Sequence, residues 1–367
     1  QVLANQFGSG QSTHRDRLTG ERTTGPALSE DILKGNRADH PADRLAHPLD
    51  DAWNRARAPR LEAIDVPVLS AANWGGPGMH LRGNMEGFLH AGSAQKWLFA
   101  HIGTHYESFY LPHYVALQKR FFNHFLRGED NGWQREPRVQ LAIRRPDGTA
   151  TIRQEHEWPL ARTAWTRFYL DAPTGQLGAE PPAADGAASY RAMKDSVSFS
   201  TAPFEHETEF TGPASLRLWV SSSTSDMDVF AVLRVFDPEG KEATFIGAHE
   251  QVPMAQGWLR ASRRKTDPAR SQPHRPWHTH DEVEKLTPGQ AVALDVEIWP
   301  TSMVFPKGWR LVLTLQGHDF IVAPPGRMRH DHPEDRPAEV FGGDNTVYTG
   351  GQKASYLLMP LVPSRTV

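Results

Sequence analysis

The sequence has no cysteine among its 367 residues. Disulfides, thiolate nucleophiles and cysteine-ligated zinc are therefore excluded as sources of stability or chemistry. The absence does not assign a compartment, because disulfide-free proteins occur on both sides of a membrane. No run approaches the roughly 20 apolar residues that a membrane-spanning helix needs. Charge of one sign is lacking too: 40 basic against 43 acidic residues leave a net charge of -3. Nothing in that balance draws the chain to nucleic acid or to an anionic membrane. The first residues, QVLANQFGSGQS, lack an initiator Met, a basic stretch and an apolar leader core. They read as a chain that begins partway through a longer sequence or after processing, so localisation stays open.

What is present is ordinary for a folded protein. The chain is 38% hydrophobic and 23% charged, enough for a real core. Its length predicts about two domains. The 11 Trp and 29 Pro point to a loop-rich protein with aromatic-lined cores or clefts.

Three zones follow one another. Residues 1–64 are polar and irregular, with short helices expected at Ser29–Lys34 and Leu49–Arg57. They show no core of their own, so they are expected to pack on something else. Residues 65–128 change character. Asp65–Ala72 is a short apolar run stopped by Asn73-Trp74-Gly75-Gly76, which reads as a buried strand. A helix is expected from His80 to Ala91, and Lys96–Ile102 makes a second buried strand, stopped at Gly103. A helix with Tyr114, Leu117, Phe121 and Phe125 on one face comes next. Strand, helix, strand, helix indicates a parallel sheet. Two strands are too few to stand alone and read as the end of a larger sheet.

Residues 136–367 have no convincing long helix. Strands are expected at Val139–Arg145, Thr166–Leu170, Ser215–Val220, Asp228–Phe236, Gln290–Ile298 and Trp309–Leu315, separated by turns such as Asp237-Pro238-Glu239-Gly240. Many short strands suggest a β-sandwich, with a jelly roll preferred. The Arg127–Gly132 turn is the expected boundary. The fold class is thus α/β followed by all-β.

Ligand sites in open α/β sheets lie at the carboxyl ends of strands. His105, in the loop after the second strand, can reach a nucleophile at a neighbouring strand end and act as general base, then general acid. The plain alternative is a loop histidine bonded to a carbonyl.

VPVLSAANWGG…GMHLRGNMEGF, KWLFAHIGTHYESFY and LQKRFFNHFLRGEDNGW, in that order, resemble the end of the catalytic domain of CocE/NonD hydrolases. That family takes in cocaine esterases, α-amino acid ester hydrolases and X-Pro dipeptidyl-peptidases. GPASLRLWVSSSTSDMDVFAVLRVFDPEG and TSMVFPKGWRLVLTLQG resemble its C-terminal jelly roll, and the polar first zone resembles segments that follow its cap. The resemblance implies acyl transfer from an ester or peptide substrate by a Ser–His–acid arrangement, with His105 as the base and no cofactor. It also implies a Gly-x-Ser-x-Gly nucleophile elbow. None occurs here, and Gly8-Ser9-Gly10 lacks the outer glycines. The serine is therefore expected in an N-terminal hydrolase segment preceding Gln1, the partner this chain requires. The usual Gly-Trp-x-Asp acid position is Gly76, which leaves Glu86, Glu107 or an upstream residue as the orienting acid. A homo-oligomer is also compatible with the sequence.

His278 with His280, and the Arg329-His330-Asp331-His332 run, have metal-like spacing but lack a convincing third ligand. Asp226 and Asp228 could hold calcium, although turn chemistry explains them as well. Trp74, Trp97, Trp133, Trp219 and Trp309 suit core packing, with Trp74, beside the candidate site, a possible substrate contact. Two other functions stay open: a β-sandwich binding protein for carbohydrate or partner chains, and a catalytically inactive homologue.

Overall fold

The computed structural model describes residues 15–22, 28–35, 40–76, 78–248, 251–320 and 330–363. Gly8-Ser9-Gly10 and Arg329 lie outside these. Two compact units divide the chain: Gln1–Ala58 with Val322–Asp335, and Pro59–Ile321 with Arg336–Val367.

The smaller unit carries helices α1 (Glu30–Gly35), α2 (His40–Ala46) and α3 (Ala52–Arg55). Leu33 is the buried residue of α1. Polar groups supply much of its order. Asp51 caps α3 by accepting from the Asn54 amide at 3.0 Å. The His47 ring stacks on Trp53 with centroids 4.6 Å apart, and the Arg57 guanidinium lies 3.5 Å over the same indole. Arg44 donates to Asp335 at 2.6 Å.

In the larger unit, strands β1 (Val68–Asn73) and β2 (Lys96–His101) pair in parallel, from Val68 opposite Lys96 to Asn73 opposite His101. The crossover helix α4 (Leu81–His90) buries Leu81, Met85 and Phe88, spaced to share one helical face. After β2 come α5 (Glu107–Tyr110) and α6 (Pro112–Arg127). Pro112 starts α6 at a position that needs no amide donor, and Gly128 closes it with φ 69°. Buried Phe121 from α6 meets Trp97 and Trp133, with Leu117 and Phe125 packed alongside.

The sheet continues beyond the Arg127–Gly132 turn. β3 (Val139–Arg144) lies parallel to β2, and β4 (Ala150–Glu155) returns antiparallel to β3. The sequence places the first of these strands in the all-β zone. Here α6 acts as a crossover and delivers the chain beside β2, in the same direction.

The remaining strands form a twelve-stranded sheet. Its longest strand is Thr208–Ser222, where the sequence marks only Ser215–Val220. One edge pairs with Val292–Phe305, and the other is shared by Tyr356–Val362 and Asp344–Thr349. Leu216, Leu218 and Val220 are fully buried, in one core with Val229, Ala231, Leu233 and Val235 of Asp228–Phe236. The alternation read from both stretches is thus the inward face of the sheet.

The two sheets are joined through a buried cation. Arg144, at the end of β3, donates to the Ser302 carbonyl, the Met254 carbonyl and the Thr301 hydroxyl, each at 2.8 Å. Burial pushes its guanidinium down to about 9, which leaves it charged at neutral pH. Val304 and Val362 add apolar contact to the cluster that holds Ala72, Trp74 and Leu81.

Two imidazoles of the β-rich half make stability depend on pH. His274, stacked on Trp165, and His278 are both lowered to about 4, by burial first and then by the neighbouring Arg275 and His280 respectively. An unfolded chain protonates them near 6.5. Stability from the neutral rings is complete above 6.5 and is lost as pH falls from there toward 4, where only the unfolded chain gains the protons. Thermal unfolding followed by circular dichroism is expected to show a lower midpoint at pH 5 than at pH 7. His278→Gln is expected to shrink that difference.

Candidate active site

Parallel register places the loops after β1 and β2 side by side. Asn73 ends β1 and faces His101 across the pair. The chain then turns through Trp74-Gly75-Gly76 in one loop and Ile102-Gly103-Thr104-His105 in the other. Gly103 adopts φ +83°, a conformation that L side chains rarely take.

The Asn73 amide ties these loops together. It is only 3% exposed. Its Nδ2 donates to the Gly103 carbonyl at 3.0 Å and faces His105 Nδ1 at 3.1 Å, and its Oδ1 accepts from the Gly75 amide at 2.8 Å. On the other side of the ring, His105 Nε2 lies 2.9 Å from the Met79 sulfur. The His80 ring sits 5.1 Å from the His105 ring, tilted by 52°. A Cβ on Gly76 would fall 2.9 Å from His105 Cε1. The glycine at the expected acid position is therefore the space that the imidazole occupies.

A cavity of about 710 Å³ opens here, with Asn73, His80, His101 and His105 on its polar side and Phe99, Tyr114 and Phe122 among its apolar walls. Burial lowers the His105 pKa, and repulsion from His80 and His101 lowers it further, so the ring is neutral at pH 7. Burial also lowers His101, whose Nδ1 donates to the Ile102 carbonyl at 3.0 Å, and raises the Tyr114 phenol. The site can therefore offer a neutral imidazole to an uncharged, largely apolar ligand.

The loop after β1 is also held from the β-rich half. The Gly75 carbonyl accepts from the Ala248 amide at 2.7 Å. A Cβ on Gly75 would lie 2.5 Å from Gly247 Cα, and one on Gly247 would lie 1.9 Å from the Gly75 carbonyl oxygen. Two backbones meet there with no room for a side chain on either.

Of the residues expected from sequence, His105 lies in the cavity and three others, Glu86, Glu107 and Trp74, lie elsewhere. The Glu86 carboxylate pairs with Arg275 and with His90, the latter at 3.3 Å. Glu86 sits six positions after His80, and about 100° per residue carries it to a different face of the helix. Glu107 lines a separate cavity with Gly75 and Arg144. Trp74 is 1% exposed, and its indole N–H donates to the Ala142 carbonyl at 2.9 Å. It fills the core beside Trp158 and presents no face to the cavity. Asp228 pairs with Arg260 and Arg336, and Asp226 accepts from Lys285 and the Ser262 amide. Among the described residues, no group of three or more His, Cys, Asp or Glu side chains could hold a metal ion.

Asn73 was missed by sequence reasoning, which treated it as a turn former. The available signal was its place at the end of a buried strand. Side chains alternate along a strand, so a core-facing Trp74 implies a site-facing Asn73.

Residues 131–358 match the family described as the X-Pro dipeptidyl-peptidase C-terminal non-catalytic domain. The chain is similar to the crystal structure of a CocE/NonD family hydrolase from Staphylococcus aureus, with 31% identity and a TM-score of 0.85 over 90% of this chain and 61% of that one. It is 24% identical over 293 residues to the cocaine esterase of Rhodococcus sp. (strain MB1 Bresler), covering 68% of this chain and 46% of that protein. An α-amino acid ester hydrolase structure shares the fold, with 15% identity and a TM-score of 0.66 over 98% of this chain and 68% of that one. The chain thus spans less than half the length of the cocaine esterase and under two thirds of the Staphylococcus protein.

The glycine contact yields a contrast between substitutions. Gly247→Ala forces backbone apart and is expected to cost about 1–3 kcal/mol of stability, with His105 NMR resonances shifted. Gly83→Ala, on α4 with nothing within 4 Å of the added Cβ, is expected to stabilise by about 0.5–1 kcal/mol. Thermal denaturation of the two variants checks both signs.

Proposed function

This chain belongs to the CocE/NonD hydrolase family, and from that we infer that the cavity at His105 is the acyl-transfer site of a serine hydrolase acting on ester or amide bonds. The observation that carries this reading is a neutral imidazole at the carboxyl end of a parallel strand, on the wall of an apolar cavity. The nucleophilic serine comes from sequence outside this chain. Its Oγ attacks the substrate carbonyl carbon while His105 Nε2 takes the hydroxyl proton. That proton then passes to the leaving alcohol or amine as the C–O or C–N bond breaks, and water repeats the sequence to release the acid. The largely apolar walls favour an uncharged acyl group, and the named activities of the Rhodococcus and α-amino acid ester hydrolase relatives favour esters. We read the twelve-stranded half as the family's jelly roll, which braces the site through Gly247 without contributing a reacting group.

A second reading, a homologue of low or no hydrolytic rate, draws on the amide of Asn73 and the glycine at 76 where the resemblance expects an acid.

The full-length protein decides between them. Fluorophosphonate labelling and ester turnover are expected. His105→Ala is expected to lower kcat/KM by about 10²–10⁴, and an unchanged rate would sink the first reading. Because the base must be unprotonated and burial lowers its pKa from 6.5, the fall in kcat/KM at acid pH is expected to have its midpoint below 6.5.

A further inference from the structure

We infer that Asn73 is the positioning residue that fixes His105 as its Nε2–H tautomer, so that the resting ring directs an N–H rather than a lone pair toward the Met79 thioether on the cavity wall. The argument begins with the orientation of the amide, which its own partners determine. The Gly103 carbonyl can only accept and the Gly75 N–H can only donate. Exchanging Oδ1 and Nδ2 would set two acceptors face to face at one contact and two donors at the other. The atom facing His105 Nδ1 at 3.1 Å is therefore the NH2 group. An amide NH2 has no lone pair to offer, so Nδ1 must be the acceptor and the ring proton sits on Nε2. The other side of the ring agrees independently. The Met79 thioether, 2.9 Å from Nε2, has no proton to give and can only accept.

The inference rests on the proposed acyl-transfer reading only for its kinetic consequence. A base that takes the serine proton at Nε2 needs its own proton on Nδ1, where an acidic side chain would accept it. Asn73 opposes that form, because Nδ1–H would face its NH2. It also gives no acceptor to the imidazolium formed during the reaction. Hydrolysis at this site is thus held back by the amide, and a carboxylate at the same position would release it.

The test uses the full-length protein labelled with [15N]histidine, with His105→Gln identifying the His105 resonances by their loss. Long-range 1H–15N correlations above pH 7 are expected to show Nε2 protonated and Nδ1 bare. An Nδ1–H pattern overturns the inference. Met79→Leu, which removes the sulfur acceptor, is expected to leave Nε2–H in place, and Asn73→Ala combined with Met79→Leu is expected to give a mixture of tautomers; a pure Nε2–H signal in the double variant overturns the assignment to Asn73. Asn73→Asp is expected to move the proton to Nδ1 and raise kcat/KM for an ester at least about tenfold. The converse Asp-to-Asn change in a serine protease costs about 10⁴. A moved proton without a faster rate overturns the kinetic consequence. The acyl-transfer reading fails on a separate result, undiminished ester hydrolysis by His105→Gln, whatever tautomer the spectra record.

Discussion

The parallel pairing of β1 with β2 is the constraint from which the site follows. Because Val68 stands opposite Lys96, Asn73 must stand opposite His101, and the two loops leave the sheet from adjacent ends at one level. A shift of one residue would turn the Asn73 side chain to the core and Trp74 to the cavity. Register therefore sets the chemistry available: an amide spans both loops, an imidazole lies against it, and a glycine leaves room for the ring. The crossover helix and the Trp97–Phe121–Trp133 cluster hold the strand pair from outside.

The join between the two sheets relies on a different kind of force. Arg144 is fully charged yet wholly enclosed, and its acceptors in the twelve-stranded half are carbonyls and a hydroxyl. Such a group exchanges solvation by water for solvation by fixed dipoles, and it tolerates little movement of them. Ion pairs between α4 and the β-rich half add to the join, Arg82 with Glu297 at 2.9 Å and Glu86 with Arg275. Directional contacts of this sort fix how two sheets sit together more tightly than apolar burial does. That matters for a site whose loop is gripped from both.

How much was legible in the sequence depended on whether the signal was local. Asp228–Phe236 could be delimited because its alternation ends at a Pro- and Gly-containing turn, and His105 was found from its place after an apolar run. Strands such as Gly186–Arg191 and Ser196–Thr201 were not seen. They mix small, polar and apolar residues of uneven burial with no clean alternation, so they are ordered by the neighbours they pair with. The outer residues of Thr208–Ser222 escaped for a similar reason, since Gly212 and Pro213 interrupt the pattern there. The role of Val139–Arg144 required knowing which strand it would meet across α6. Glu86 is a candidate acid by position in the chain, but its helical phase relative to His80 turns it toward Arg275. Asn73 was hidden because its three partners are Gly75, Gly103 and His105, brought together by a register that no linear pattern states.

The backbone contact at Gly75 and Gly247 also bears on how this architecture can be inherited. The two glycines lie far apart in sequence, one in the α/β part and one in the β-rich part, yet neither position can gain a side chain while the other stays in place. An exchange of the β-rich half for one with a side chain at position 247 would press that side chain into the Gly75 carbonyl. A side chain gained at either position therefore demands that the facing backbone give way, so the β-rich half is fitted to the loop beside the candidate site and is not freely interchangeable.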